Sequence, residues 1–168
     1  MNFELLSPGR FIPAEHWQKL VPGISRVEVE IGPGDCKFIA RAAARDPATL
    51  FIGLEQRTHR VMAFQKKRPS LPNLVIYHAD GRWLMSHLFS PASFDAVHVY
   101  FPDPWWKKRH HNRRLFTEEF CQGLRGALKP SGRVYLISDV AAQFEDITAR
   151  LSSHGLELEP WERDPDDP

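Results

Sequence analysis

Apolar residues recur along this chain at two alternating spacings, and the alternation predicts the fold. Short apolar and β-branched runs predict strands at residues 25–31, 50–54, 74–77, 94–100, 133–138 and 155–161. Apolar residues three or four positions apart predict helices at residues 37–45, 58–67, 82–88, 117–128 and 141–151. Strands that alternate with helices form crossover units. We therefore expect an α/β fold with a mostly parallel sheet and helices on both faces.

Length and composition narrow the class of protein. The 168 residues suit one domain, and 42% hydrophobic with 26% charged residues is the balance of a globular chain. The net charge of +1 indicates no nucleic-acid partner by itself, so any such surface must come from local clustering. The only cysteines, Cys36 and Cys121, form neither a disulfide framework nor a metal-ligand spacing. We expect a cytoplasmic protein with no metal and no membrane segment.

Proline, glycine and charge set the predicted domain limits. Residues 1–23 are rich in turn-forming residues and predict an N-terminal arm with one helical turn near residues 15–20. Residues 24–161 form the predicted α/β domain. Residues 162–168 are acidic and Pro-rich, which predicts a disordered tail.

Glycine or acidic residues follow each of the first five predicted strands. Ligands of parallel α/β sheets bind outside the carboxyl ends of the strands, where these residues would meet. The sequence therefore predicts one site at that edge. In strand order, the residues that follow are Gly32 with Gly34, then Glu55, Asp80, Asp103 and Asp139.

The turn after the first strand indicates a charged nucleoside ligand. Gly32 and Gly34 allow a tight turn and a close approach by a ligand. Glu30 would repel a phosphate and suits a cation, while Glu55 and Asp80 suit ribose hydroxyls and an adenine amine. This combination favours S-adenosylmethionine. A nicotinamide cofactor is disfavoured because the turn lacks the third glycine of the dinucleotide motif.

Residues 99–115 combine a rigid acid, aromatic residues and a basic run. Pro102 and Pro104 restrict the backbone on either side of Asp103. Two adjacent tryptophans could stack on an unpaired base. The basic residues that follow would bind phosphates, which indicates an RNA partner. The tryptophans are Trp105 and Trp106, and the basic residues are Lys107, Lys108, Arg109, Arg113 and Arg114.

Taken together, these motifs resemble the bacterial tRNA (guanine-N7)-methyltransferase family over residues 28–139. The most specific part is residues 101–105 followed by 107–110 and 113–115. The resemblance implies a Rossmann-like fold, S-adenosylmethionine as cofactor, and methyl transfer to N7 of guanosine 46 in tRNA. It implies Asp103 as the catalytic residue. It implies cofactor contacts at Glu30, Glu55, Asp80 and Asp103, and substrate contacts at Lys107 and Asp139. From the glycine turn we also expect cofactor contacts at Gly32 and Gly34, and from the basic run substrate contacts at Arg113 and Arg114. For the oligomeric state we leave a monomer and a homodimer open.

Three departures from the family pattern keep other functions open. Cys36 stands where the family usually has a third glycine, and we expect its larger side chain to narrow the approach to the cofactor. Trp106 stands where the family usually has proline. The family's Thr- and Glu-containing substrate motif and its final strand have no counterpart before Pro168. The alternatives are a shortened, non-catalytic relative that binds the cofactor and RNA, or a methyltransferase for another substrate.

Overall fold

A computed structural model describes residues 21, 23–67, 71–87, 89–105 and 108–160. Within them no helix has the length and apolar character needed to cross a membrane. The strands are β1 (Arg26–Ile31), β2 (Thr49–Glu55), β3 (Leu74–His78), β4 (Phe94–Tyr100) and β5 (Leu128–Ile137). The helices are α1 (Lys37–Arg45), α2 (Thr58–Lys67), α3 (Gly81–His87), α4 (Glu118–Ala127) and α5 (Ala141–Ser153), with a 3-10 helix at Lys108–Arg113.

The five strands form one parallel sheet in the order β3-β2-β1-β4-β5. The chain moves outward from β1 to β3 and then returns to place β4 on the other side of β1. The order therefore reverses between β1 and β4, which is where open α/β sheets bind ligands. The predicted α/β class is confirmed.

Helices cover both faces of the sheet because each strand buries side chains in two directions. On one face, α3, α4 and α5 pack on a large core that includes Val29, Val97 and Phe120, all with 0% exposure. On the other face, α1 packs on a smaller core that includes Ile39 and Phe51. Burial on both faces is clearest at β2, which is buried along its whole length.

Two predictions near the end of the domain were wrong. Residues 156–160 are irregular, because Gly155 adopts a left-handed φ of 76° and the Leu156 N–H bonds back to the Leu151 carbonyl of α5. Residues 129–132, which lie between a predicted helix and a predicted strand, instead belong to β5. The strand passes Phe94 closely there, where an irregularity interrupts the pairing of β4 with β5. The predicted arm, except residues 21 and 23, and the predicted tail lie outside the described residues.

Two glycines of α4 test the packing of α4 against α3. A Cβ on Gly123 would lie 2.6 Å from the Met85 carbonyl oxygen, whereas a Cβ on Gly126 would meet no atom of the described residues within 4 Å. We expect Gly123→Ala to lower the free energy of unfolding by about 1–3 kcal/mol through overpacking. The control, Gly126→Ala, should raise it by about 0.5–1 kcal/mol through helix propensity. Urea denaturation measures the free energy of unfolding of both variants. Equal changes in the two variants would contradict the close packing of α4 against α3.

Candidate active site

A cleft of 720 Å³ opens at the carboxyl ends of the strands, at the point where the strand order reverses. Parallel strands bring their carboxyl ends to one edge, so residues distant in sequence meet there. The acids Glu55, Asp80 and Asp103 all line this cleft, together with Gly32 and Gly34. The structure therefore brings together five of the six predicted cofactor-binding residues.

Glu55 ties the end of β2 to the glycine turn. Its Oε2 accepts a hydrogen bond from the Gly34 N–H at 3.1 Å, and its Oε1 accepts from the Arg57 N–H at 2.8 Å. The residue is only 4% exposed, so these bonds compensate part of the cost of burying a carboxylate. Each carboxylate oxygen can accept more than one bond, which leaves capacity for a ligand hydroxyl.

The turn between β1 and α1 contains three residues with left-handed backbone. Gly32 and Gly34 have φ values of 72° and 58°, which glycine adopts at little cost. Cys36 has φ of 59° and occupies the position of the family's third glycine. Its side chain is 1% exposed, packs in the smaller core and is not among the residues that line the cleft. The larger residue therefore does not narrow the cleft, and burial raises the pKa of its thiol to about 12.

Asp80 begins α3 as well as lining the cleft. Its Oδ1 accepts from the backbone N–H groups of Arg82 at 2.9 Å and Trp83 at 3.4 Å. This is the arrangement by which an acidic residue satisfies the free N–H groups of a helix start. Both bonds use Oδ1, so Oδ2 retains its capacity to accept from a ligand.

The loop that carries Asp103 is held from two directions. The Arg57 Nη2 pairs with Asp103 Oδ2 at 3.1 Å from the β2 side. The Gln143 Nε2 of α5 donates to the carbonyl oxygens of Pro102 and Asp103 at 3.1 and 3.3 Å. Phe101 has φ of 50°, a sparsely populated conformation for a residue with a side chain. The surrounding contacts must therefore maintain this conformation.

Glu30 lies in an adjoining cavity instead of the main cleft. This smaller cavity of 310 Å³ shares Gly32, Tyr100 and Phe101 with the cleft. Glu30 is 5% exposed, and its Oε2 has no hydrogen-bond partner among the described residues. Burial raises the pKa of its carboxyl from 4.5 to about 8, although a bond from the Ile39 backbone opposes the effect. A buried, unpartnered carboxylate oxygen is costly unless a ligand supplies a donor.

The predicted substrate residues occupy different surroundings. Arg113 lines the cleft and lies 5.2 Å from the centre of the Trp105 ring, within cation–π range. Arg114 faces away toward α5, where it forms an ion pair with Asp146 at 3.8 Å. Asp139 is exposed after β5 and is not among the residues lining the cleft. Lys107 and Trp106 lie outside the described residues, so their roles stay predictions.

Three residues of the site were missed by the sequence analysis. Arg57 and Arg60 follow β2 and line the cleft, and Gln143 holds the Asp103 loop from α5. Arg57 and Arg60 follow a strand that ends in an acid, which is a weak signal that could have drawn attention to them. Gln143 has no local signal, because its importance depends on how α5 packs beside β4.

Other parts of the described surface offer weaker candidate sites. A larger groove of 1000 Å³ follows the free edge of β5, but its lining lacks the acids that end β2, β3 and β4. Its Arg133 is already paired with Glu159 at 3.3 Å. Within the described ranges, no group of three or more His, Cys, Asp or Glu residues is arranged to hold a metal ion. The expected absence of a metal stays a prediction.

Comparison with known proteins identifies the family. A family model described as "Putative methyltransferase" matches residues 25–167. A tRNA (guanine-N(7)-)-methyltransferase of Lactiplantibacillus plantarum is 32% identical over 145 residues, which cover 85% of this chain and 67% of the relative. The chain belongs to the tRNA (guanine-N(7)-)-methyltransferase family.

Other family members match this chain at similar sequence identity. The tRNA (guanine-N(7)-)-methyltransferase of Thermus thermophilus is 38% identical over 130 residues, covering 76% of this chain and 42% of that protein. A Synechococcus member is 32% identical over 84% of this chain and 61% of its own length. The chain thus spans about two thirds of the first relative and less of these two.

Solved structures of methyltransferases show the same fold at low sequence identity. An antibiotic-related methyltransferase superposes with a TM-score of 0.66 at 20% identity, covering 89% of this chain and 77% of the other. The 16S rRNA methyltransferase KamB gives a TM-score of 0.61 at 20% identity, covering 86% and 75%. The Rossmann-like methyltransferase fold implied by the sequence resemblance is confirmed.

The buried Glu30 carboxyl predicts a pH-dependent stability for the ligand-free protein. Because the pKa of this carboxyl is about 8 in the folded protein, above its ordinary value of 4.5, the folded state binds the proton more tightly. Stability should therefore fall as the pH rises through this interval, by at most about 5 kcal/mol. The Glu30→Gln variant should lose less of its free energy of unfolding than wild type over the same pH interval. Urea denaturation at pH 5, 6.5 and 8 checks this, with the exposed Glu157→Gln expected to follow wild type. If the free energy of unfolding fell by the same amount with pH in Glu30→Gln and in wild type, the prediction would be wrong.

Proposed function

We propose that this chain transfers the methyl group of S-adenosylmethionine to N7 of a guanosine in tRNA. The observation that carries the proposal is the meeting of Glu55, Asp80 and Asp103 in one cleft at the point where the strand order reverses. Family membership supports the reaction type. The guanosine at position 46, in the variable loop, is the proposed target.

The chain's own residues fit the proposed cofactor. The buried Glu30 Oε2 has no hydrogen-bond partner among the described residues, so a ligand that brings a hydrogen-bond donor or a cation would stabilise it. The ammonium at the amino-acid end of the cofactor is both. A Cβ at Gly32 would have no atom of the described part of the chain within 4 Å, so a ligand can pass close to the backbone there. The cleft and the smaller cavity adjoin at Gly32, which suits a ligand with two distinct ends.

Each acid has a proposed contact that matches its surroundings. Glu55 would accept hydrogen bonds from the ribose hydroxyls, since it already lies beside the glycine turn through Gly34. Asp80 would accept from the exocyclic amine of adenine through the oxygen that does not bond the start of α3. Glu30 would bind the ammonium in the smaller cavity.

The chemistry requires positioning more than proton transfer. When bound, S-adenosylmethionine supplies an electrophilic methyl group. Guanine N7 carries an in-plane lone pair and no proton, so the protein needs no general base. Its main contribution is to align the two reacting atoms. The guanine ring gains positive charge during transfer, and the Asp103 carboxylate is proposed to stabilise that charge and orient the base.

The proposed RNA surface continues from the Asp103 loop. Trp105 and Arg113 line the same cleft and offer an aromatic face with a cation beside it. Lys107 and Asp139 are proposed to contact the substrate near the target nucleotide. Guanosines of the variable loop take part in tertiary pairing, so we propose that the base is drawn out before transfer. We propose a cytoplasmic monomer or homodimer.

Methyl transfer to a tRNA transcript tests the proposal directly. The purified chain should produce N7-methylguanosine in a transcript with guanosine at position 46 and none when that nucleotide is adenosine. Asp103→Ala should lower kcat by about 100-fold, because it removes the charge facing the guanine ring. Glu145→Ala, which removes an exposed carboxylate of α5 outside the cleft, should keep wild-type turnover.

Three results would contradict parts of this proposal. Cofactor binding without transfer to bulk tRNA would indicate the non-catalytic relative. Substrate affinity that barely changes with salt would indicate a small-molecule substrate, because phosphate contacts weaken steeply as salt rises. Unchanged turnover of Asp103→Ala would refute its catalytic role.

Gln143 is predicted to position Asp103 without contacting the substrate. Gln143→Ala removes the two bonds to the loop carbonyls, so we expect kcat to fall about 10-fold. Gln143→Lys, which restores a donor, should recover part of the rate. Gln122→Ala, at an exposed position of α4, is the control. A loss of stability with unchanged kcat would assign Gln143 a purely structural role.

A further inference from the structure

A chain of polar side chains crosses from β1 to β4 on the face of the sheet that α1 covers. The His98 ring of β4 bonds through Nε2 to Glu28 Oε2 of β1 at 2.9 Å. Its Nδ1 bonds to the Tyr100 hydroxyl at 2.8 Å. The Arg26 Nη2 donates to the other Glu28 oxygen at 2.8 Å. The network therefore runs from the exposed start of β1 to the last residue of β4.

Burial and aromatic packing hold the His98 ring in place. Its side chain is 8% exposed, and that of Glu28 is 14% exposed. The Tyr135 ring of β5 stacks on the imidazole, with 4.9 Å between the ring centres and 9° between the planes. The Phe38 ring of α1 contacts both the imidazole and the Tyr100 ring, at 5.1 and 4.8 Å between centres. The imidazole therefore cannot rotate without displacing rings of α1 and β5.

The charge of Glu28 determines the direction of each hydrogen bond. Although burial favours the neutral acid, the hydrogen bonds from His98 and Arg26 lower the pKa of the Glu28 carboxyl below its ordinary value. A carboxylate only accepts hydrogen bonds, so the imidazole carries a proton on Nε2. In the neutral ring Nδ1 is then the acceptor, and the Tyr100 hydroxyl donates to it. The network therefore fixes both the tautomer of His98 and the direction of the Tyr100 phenol.

Tyr100 lies where β4 meets the active site. It is the last residue of β4 and lines both the cleft and the smaller cavity. The next residue, Phe101, has the left-handed φ of 50° and donates its N–H to the Ile137 carbonyl of β5 at 2.8 Å. Asp103 follows two residues later. The direction in which the chain leaves β4 therefore affects where the Asp103 carboxylate lies.

The contacts with α5 and with the end of β2 hold the far side of the Asp103 loop, and the buried network holds its strand side. A buried ion pair contributes little net stability, because the cost of removing its charges from water offsets their attraction. Its specific effect here is to fix the direction of the groups that it bonds. We propose that Glu28 and His98 act through Tyr100 as positioning residues for Asp103. This inference rests on the proposed function.

Tyr100→Phe tests the proposal because it removes only the hydroxyl and keeps the ring against Phe38. With Asp103 less well positioned, kcat for methylation of the tRNA transcript should fall about 5-fold. The KM for tRNA and the Kd for S-adenosylmethionine, the latter measured by calorimetry, should stay within about 2-fold of wild type. The control is Tyr135→Phe, the same change at a residue that is not among the described residues lining the cleft or the smaller cavity. It should keep the wild-type kcat.

A double-mutant cycle tests whether the hydroxyl acts through His98. Gln at position 98 places its amide nitrogen near the position of Nε2, so it can still donate to Glu28, but it has no acceptor at the position of Nδ1. His98→Gln should therefore lower kcat about as much as Tyr100→Phe, and the double variant should lose no more than either single variant. Thermal unfolding checks that each variant is folded. If His98→Gln does not fold, the kcat and KM of Tyr100→Phe decide the assignment.

The outcomes distinguish failure of the two proposals. If wild type methylates the transcript and Tyr100→Phe keeps its kcat, the positioning role is overturned while the proposed function stands. A raised KM with unchanged kcat, or additive losses of kcat in the cycle, would overturn the positioning role as well. If wild type transfers no methyl group, the proposed function fails and the positioning role fails with it. An equal fall of kcat in both single variants and the double variant supports the role.

Discussion

The parallel pairing of β1 with β4 determines where every other part of the site lies. In its register Glu30 is opposite His98 and Ile31 is opposite Val99. Because the two strands run in the same direction, the chain leaves both at the same edge, and the glycine turn emerges beside the Asp103 loop. The β2 strand lies on the other side of β1, and its terminal Glu55 bonds back across the turn. Acids from separate crossover units therefore surround one cleft.

The same edge contains local features that lower stability. Cys36, Phe101 and Trp105 have left-handed backbone, each at a cost of the order of 1 kcal/mol. Glu30 is buried with one oxygen unpartnered among the described residues. Elsewhere on the sheet, Val29 and Val97 are fully buried in ordinary apolar packing. A fourth left-handed residue of the described chain, Ala92, lies before β4 and away from this edge. The other three lie at the ligand-binding edge, which fits a site that gains compensating contacts when its ligand binds.

The sequence predicted the parts of the site that depend on local pattern. Strand periodicity and strand-end acids correctly placed Glu55, Asp80 and Asp103 in one cleft, because parallel topology brings such ends together. Gln143 could not be predicted in this way. Its contacts with the Asp103 loop depend on which face of α5 packs beside that loop, and this is decided by tertiary packing.

The errors have equally local causes. Alternation of Leu156 and Leu158 resembles a strand, but the left-handed Gly155 directs the backbone back to α5. Lys129-Pro130-Ser131-Gly132 carries turn-forming residues, yet the edge position of β5 tolerates proline in a strand. Cys36 was expected to restrict the cofactor, whereas its side chain packs in the smaller core on the α1 face. Side-chain direction at a left-handed residue is not evident from residue type.

The most direct measurement follows the backbone amides of glycine by NMR while S-adenosylmethionine is added. The account predicts shifts for Gly32, Gly34 and Gly81, which lie along the cleft, and none for Gly132 and Gly155 beside the groove at β5. Shifts confined to the β5 groove, or no shifts at saturating ligand, would contradict a cofactor site formed by the strand-end acids.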